Sequence, residues 1–297
     1  MSDDAHPEPG AITWSALWTQ TSAVVGDRVR ARWLCEVASG ADGDDFRAAL
    51  DEPATERMVH HLDAMLARLR SGEPLQYVLG RWAFRRLDLM VDRRVLIPRP
   101  ETEQVAEIAL RCARARRSVD GSPMRIADLG TGSGAIGLSL ADELGPDGLQ
   151  VWLTDASADA LDVARANLAG LGRAGAVVRL AHGDWFDALP DQHRSGFAVI
   201  VSNPPYVLAD DPRLEPIVRD WEPSGALFAG TDGLDAVRHI VAGSGEWLEP
   251  GGSLVLEIGA QQGTVTAALM TAAGLIDVRI HPDLSGHDRV AEARLPI

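Results

Sequence analysis

Over residues 11–69 the apolar positions fall at i, i+3 and i+4 spacing: Trp14, Leu17 and Trp18; Val29, Trp33, Leu34 and Val37; Met58, Leu62, Met65, Leu66 and Leu69. That spacing predicts amphipathic helices. Asp42-Gly43-Asp44-Asp45 and Asp51-Glu52-Pro53 break them into pieces, so a small helical bundle is expected, with its tryptophans on apolar faces as core. Residues 1–10 are polar and carry prolines, and disorder is expected there. From residue 72 the pattern shortens to period two. Residues 72–80, 82–84 and 87–92 alternate in the manner of two strands, which predicts a β-hairpin linker.

Next, the prolines of Leu96-Ile97-Pro98-Arg99-Pro100-Glu101-Thr102-Glu103 enforce an extended stretch before a helix over 102–114. From residue 125 short apolar runs alternate with helical segments. Strands are expected at 125–129, 151–154, 177–180, 197–201 and 253–258, with 278–280 and 289–295 at the close. Helices fall between them, including 135–144 and a Ser157-capped one through residue 168. This is the signature of an α/β doubly wound, Rossmann-like sheet. The expected organisation is a helical domain over 1–71, a linker over 72–95 and a larger domain over 96–297.

Two loops carry the candidate chemistry. Asp128-Leu129-Gly130-Thr131-Gly132-Ser133-Gly134 lies between the first strand of this sheet and its helix, where glycines let backbone approach a ligand. Asp155, ending the next strand, is placed to accept from both hydroxyls of a ribose. A nicotinamide-dinucleotide fingerprint would read Gly-x-Gly-x-x-Gly; here the spacing differs, and Asp128 just ahead would repel a pyrophosphate. A cationic nucleoside such as S-adenosylmethionine fits better. After the third strand, Gly183-Asp184-Trp185-Phe186 supplies an acid, Asp184, and a ring, Trp185, at the height where an adenine would lie.

The second loop, Asn203-Pro204-Pro205-Tyr206, follows the run Phe197-Ala198-Val199-Ile200-Val201, at the sheet edge where open α/β folds bind ligands. The Asn203 side-chain oxygen and the Pro204 carbonyl could accept both hydrogens of an NH2 group, and the Tyr206 ring could lie against its flat face. Two prolines would fix that geometry in advance.

Composition narrows the partners. With 28 Lys and Arg against 43 Asp and Glu, the formal charge is −15, which argues against a surface built to grip nucleic acid. The two cysteines, Cys35 and Cys112, lie far apart without metal-ligand neighbours, so reduced thiols and no metal site are expected. No apolar run approaches membrane-spanning length, and a soluble, cytoplasmic monomer is expected.

Together these loops resemble class I S-adenosylmethionine-dependent methyltransferases acting on a planar nitrogen, a group that includes DNA adenine-N6 and cytosine-N4 enzymes. Further stretches are similar to the PrmC/HemK family of peptide chain release factor glutamine-N5 methyltransferases. They are Leu96 to Glu103; Gly72-Glu73-Pro74 with Tyr77 and Gly80; Glu222-Pro223 with Ala226-Leu227 and Asp232-Gly233-Leu234; and Leu256-Glu257-Ile258-Gly259 with Gln262-Gly263. The resemblance runs over residues 72–294. It implies a helical N-terminal domain, a hairpin linker and a catalytic domain. It also implies methylation of the glutamine in the Gly-Gly-Gln loop of bacterial class 1 release factors, with S-adenosylhomocysteine as product. Carried across, the cofactor residues are Asp128, Gly130, Thr131, Gly132, Ser133, Gly134, Asp155, Asp184, Trp185 and Asn203, and the substrate loop is Asn203, Pro204, Pro205 and Tyr206. Three alternatives stay open: a DNA adenine methyltransferase, a glutamine methyltransferase acting on another protein, and a non-catalytic binding module on the same fold.

Overall fold

The computed structural model describes residues 12–116, 122–208, 211–212 and 214–297. The disorder expected of residues 1–10 falls outside them. The chain divides into two compact units, Met1–Gly80 and Arg81–Ile297.

The first unit holds helices α1 (Trp14–Val25), α2 (Arg28–Ser39), α3 (Gly43–Ala48), α4 (Glu56–Arg70) and α5 (Leu75–Leu79). Side-chain oxygens start three of them: Thr13 accepts from the N–H of Ala16, Asp27 from Val29 and Arg30, and Thr55 from Met58. Trp14 and Trp18 pack edge-on against Phe46, with ring centroids 6.0 and 6.5 Å away. Trp33 departs from the expected core placement and is 37% exposed. The buried stripe of α2 runs through Ala31, Leu34, Cys35 and Ala38, which leaves Trp33 at its margin. Residues 75–79, expected to belong to the linker, form α5. Pro74 sets its entry, Gly80 ends it, and Leu75, Tyr77 and Val78 are buried. Arg68 holds the segment by donating to the Glu73 carboxylate at 2.6 Å and to the Tyr77 carbonyl at 2.8 Å.

The second unit opens with a hairpin of β1 (Arg81–Phe84) and β2 (Leu87–Met90). Helix α6 (Pro100–Ala115) follows, with proline in its first turn beside Glu101 and Glu103, which suit the positive end of the helix dipole. Then come β3 (Met124–Leu129), α7 (Ala135–Leu144), β4 (Leu149–Asp155), α8 (Ala158–Ala169), β5 (Val178–His182), β6 (Phe197–Ser202), α9 (Pro216–Trp221), α10 (Ser224–Leu227), α11 (Asp235–Trp247), β7 (Leu248–Glu257), α12 (Gly263–Ala272), β8 (Ile276–Pro282) and β9 (Asp288–Arg294). The sheet order is β5-β4-β3-β6-β7-β9-β8. Pairs from β5 to β7 are parallel, and β9 runs antiparallel to both β7 and β8. The doubly wound sheet expected from the sequence is therefore present.

Every residue of β6 is buried, as a parallel strand covered on both faces requires. Val199 and Val201 pack with α6 and α7 through Val105, Leu110, Ile136 and Leu138. Ile200 packs with α11 and α12 through Val237, Ile240 and Met270. The chain reverses direction of winding between β3 and β6, so the carboxyl ends of β3, β4 and β6 open a crevice beside one another.

The turn from β3 into α7 has an acid at its base. Asp128 is 1% exposed; it accepts from the Thr131 hydroxyl at 2.6 Å and from the Gly137 N–H at 2.9 Å, both through Oδ2. Its Oδ1 is buried without a hydrogen-bond partner. Burial therefore outweighs the two donors and pushes the Asp128 carboxyl up from 3.8 to about 6. An aspartate whose folded value is raised binds more protons folded than unfolded between those values, so its ionisation lowers stability as pH rises through about 6. Asp128→Asn cannot ionise. Urea unfolding of both proteins is expected to show the variant gaining on wild type as pH rises from about 3 to about 7, by up to about 3 kcal/mol, with most of the change between about 4 and 6 and none above about 7. A difference independent of pH would show that folding leaves the Asp128 carboxyl unshifted.

Candidate active site

A cavity of about 510 Å3 opens at the carboxyl ends of β3, β4 and β6. Its walls bring together Gly130, Thr131, Gly132, Ser133, Asp155, Asp184, Trp185, Asn203 and Pro205, residues far apart in the chain. Asp128, Gly134, Pro204 and Tyr206 do not line it. Asp128 and Gly134 instead shape the turn that does, and Tyr206 is anchored behind the wall.

The glycine turn is held open by its backbone. Gly130, Gly132 and Gly134 have φ of 69°, 56° and 86°, a region that side chains rarely tolerate. Asp155 fastens the turn to β4. Its Oδ2 accepts from the Gly132 N–H and its Oδ1 from the Ser157 N–H, each at 2.9 Å. Burial raises the Asp155 carboxyl above its ordinary range, against these two donors. Asn167 on α8 is a support that sequence reasoning missed: its side chain donates to the Ser133 carbonyl at 2.8 Å and bonds Met90 of the hairpin in both directions. Trp185, at a positive φ of 44°, turns its ring against Gly130; a Cβ on that glycine would lie 3.5 Å from the ring.

Behind Asn203 lies a buried polar chain. Asn203 Nδ2 donates to Thr102 Oγ1 at 3.2 Å, and Thr102 Oγ1 donates to Glu257 Oε2 at 2.7 Å. The Tyr206 hydroxyl donates to the other oxygen, Glu257 Oε1, at 3.1 Å. Glu257 is 1% exposed, and burial raises its carboxyl above the usual range. Burial, and then the Glu257 charge, raise the Tyr206 phenol. The Asn203 carbonyl oxygen and the Pro204 carbonyl accept from no donor among the described residues.

Two more braces fix the loop. Gln262 donates to the carbonyls of Tyr206 and Gly233 at 3.3 and 3.0 Å, while its own oxygen accepts from the Gly259 N–H. A Cβ at Gly233 would sit 2.5 Å from the Tyr206 carbonyl, so only glycine permits that approach. On the far wall Glu222, 6% exposed, pairs with Arg99 at 2.5 Å and accepts from the Ile97 N–H at 3.3 Å. This pair joins Leu96 and Pro98 to Pro223, Ser224, Gly225 and Ala226 around the cavity. Sequence reasoning quoted these stretches for their family likeness without giving Thr102, Glu222, Glu257 or Gln262 a place in the site. Arg99 between two prolines, unexplained by a helix start, was the available signal.

Among the described residues no cluster of His, Cys, Asp or Glu could hold a metal ion, and no helix is long and apolar enough to cross a membrane.

Comparison with known proteins bears on both units. Residues 14–80 match the PrmC N-terminal domain model and residues 116–215 the Methyltransferase small domain model. A methyltransferase from Pyrococcus furiosus, 16% identical with a TM-score of 0.51 over 79% of this chain and 100% of its own, shares the fold. The release factor glutamine methyltransferase of Xylella fastidiosa is 43% identical over 83% of this chain and 85% of its own length. That of Burkholderia pseudomallei is 41% identical over 91% of this chain and 93% of its own. With relatives this similar over most of the chain and of their own length, and with family models matched in both units, the chain belongs to the release factor glutamine methyltransferase family.

Proposed function

We propose that this protein transfers a methyl group from S-adenosylmethionine to the side-chain amide nitrogen of a glutamine, that of the Gly-Gly-Gln loop in bacterial class 1 release factors. The observation that carries this reading is the shared cavity: the glycine turn, Asp155 and Trp185 on one side, and on the other Asn203, whose carbonyl oxygen meets no donor among the described residues. The relatives' names point to a release factor glutamine, and the family resemblance to the Gly-Gly-Gln loop of class 1 factors.

The residues suit this cofactor. A volume of about 510 Å3 is ordinary for a small-molecule site. Asp155 and Asp184 on the wall, with Asp128 behind it, favour a ligand bearing sulfonium and ammonium charge and disfavour a pyrophosphate. Asp155, Gly130 to Gly134, Asp184 and Trp185 would hold it, with Asp155 towards the ribose and Trp185 towards the adenine. When bound, S-adenosylmethionine supplies an electrophilic methyl group.

The chain's task is then to prepare a poor nucleophile. An amide nitrogen has its lone pair delocalised into its own carbonyl, so orientation carries much of the catalysis. Asn203 Oδ1, on the cavity wall, accepts one N–H of the substrate amide, and the Pro204 carbonyl, just outside the lining and met by no donor among the described residues, accepts the other. Both acceptors gain strength as positive charge grows on nitrogen while the S–CH3 bond breaks and the N–CH3 bond forms, and one of the two N–H protons then leaves to water, giving the neutral N-methyl amide and the thioether product. Pro205 forms the adjoining wall, and Tyr206, anchored on Glu257 and Gln262, keeps the loop from collapsing into the cavity. The family likeness suggests a domain division near residue 80, with the helical unit contacting the release factor body.

Incubation with methyl-labelled cofactor and a class 1 release factor is expected to label the loop glutamine. A Gln-to-Ala release factor and duplex DNA should stay unlabelled; label on DNA instead would replace the reading with an adenine methyltransferase. Asp155→Ala is expected to weaken the cofactor by about 1.5–3 kcal/mol, the range for a hydrogen bond to a charged group, measured by calorimetry. Asn203→Ala should leave cofactor affinity nearly unchanged and lower the methylation rate at least about a hundredfold. A wild-type rate in that variant would reduce the loop to a turn.

A further inference from the structure

We propose that Thr102 is a positioning residue: its hydroxyl fixes which way round the Asn203 amide sits, so that the carbonyl oxygen, not the NH2, is left for the substrate. The proposal rests on the reading of Asn203 as the acceptor for the substrate amide.

The reasoning follows hydrogens. Glu257 takes one hydrogen bond from Thr102 at 2.7 Å and one from Tyr206 at 3.1 Å; these two donors favour its ionised form against burial, and in that form the carboxylate only accepts. A threonine hydroxyl has a single hydrogen. Once that hydrogen is given to Glu257, the Thr102 oxygen can only accept, and the group 3.2 Å away must present a donor. Asn203 therefore turns its NH2 to Thr102 and its carbonyl oxygen away. Without this constraint the two ends of an asparagine amide are nearly equal in size and either orientation could fill the space. An inverted amide would point two N–H donors at a substrate NH2, which also donates, and the contact would be lost.

The geometry gives the arrangement reach. Thr102 lies in the first turn of α6, Glu257 at the end of β7, and Asn203 just past β6. Thr102 is 4% exposed and Glu257 1%, so water does not compete for these bonds. One carboxylate thus sets the polarity of Asn203 and anchors the Tyr206 hydroxyl of the same loop.

Four side chains at position 102 separate hydroxyl from shape. Threonine and serine carry the hydroxyl; Thr102→Val keeps the size and loses it, and Thr102→Ala differs from Thr102→Ser by that oxygen alone. If the hydroxyl orients Asn203, kcat on a release factor groups wild type with Thr102→Ser, within about threefold. Thr102→Val and Thr102→Ala fall together by about tenfold or more, as loss of one net hydrogen bond implies. Thr102 also lines the cavity, but its hydroxyl is spent on Glu257 and Asn203, so cofactor affinity by calorimetry changes less than about twofold across the set. Grouping by size, with Thr102→Val active and Thr102→Ser impaired, would overturn the proposal, as would four equal rates. A second readout needs no turnover: in nitrogen-labelled protein one Nδ2 proton of Asn203 should be protected from exchange in the threonine and serine forms and lose protection in the valine and alanine forms. Protection unchanged in Thr102→Val would also overturn it. Failure of wild type to label any release factor would instead contradict the functional reading, while the exchange experiment still decides the role of Thr102.

Discussion

Much of this site depends on one buried carboxylate. Glu257 sits at the end of β7 with 1% exposure, and it is tolerated there because two hydroxyls, from Thr102 and Tyr206, satisfy its two oxygens. A charge so placed pulls together elements that share no sequence neighbourhood: the first turn of α6, the loop after β6 and the strand that carries it. The cost of leaving the charge unpaired is what holds the loop in register. Gln262 repeats the device one layer out, spending both ends of its amide on loop backbone. The prolines of Asn203-Pro204-Pro205-Tyr206 stiffen the loop, but this polar backing is what aims it.

The cofactor side is organised by a different constraint. Three alternating glycines at positive φ, Gly130, Gly132 and Gly134, form the turn, and polar side chains brace it. Asp128 holds its helix end through Thr131 and Gly137, Asp155 holds its centre through Gly132, and Asn167 holds the Ser133 carbonyl. The two carboxylate braces, Asp128 and Asp155, are also charges that make the cavity acidic. Support for the turn and selectivity for a cationic ligand therefore come from the same side chains.

Most of the sheet was legible in the sequence because buried parallel strands read as short apolar runs, and the glycine turn because it stands between such a run and a helix. Asp155 was found by its place at the end of the next strand. Other features were hidden for physical reasons. Leu75–Leu79 is too short for its period to separate helix from strand, and only Pro74 and Gly80 mark it as a helix. Strand β7 begins at Leu248 and continues through Pro250-Gly251-Gly252, residues that ordinarily stop a strand; a register shift against β6 absorbs them. Asp128 was read as facing the ligand, yet strand alternation puts it with Ile126 on the α7 side, where it is buried. The pairings of Thr102 with Glu257 and Arg99 with Glu222 span 155 and 123 residues, and nothing local announces them. Their signal was indirect: polar residues set in stretches whose prolines and apolar neighbours had no need of them.

The central claim is that a planar amide is held by Asn203, with that side chain itself oriented from behind. A crystal structure of the protein with S-adenosylhomocysteine and a Gly-Gly-Gln peptide would test it most directly. The account predicts the glutamine amide nitrogen within about 3 Å of Asn203 Oδ1, with Asn203 Nδ2 still on Thr102. A glutamine side chain bound away from Asn203, or an Asn203 released from Thr102 to meet it, would contradict the account.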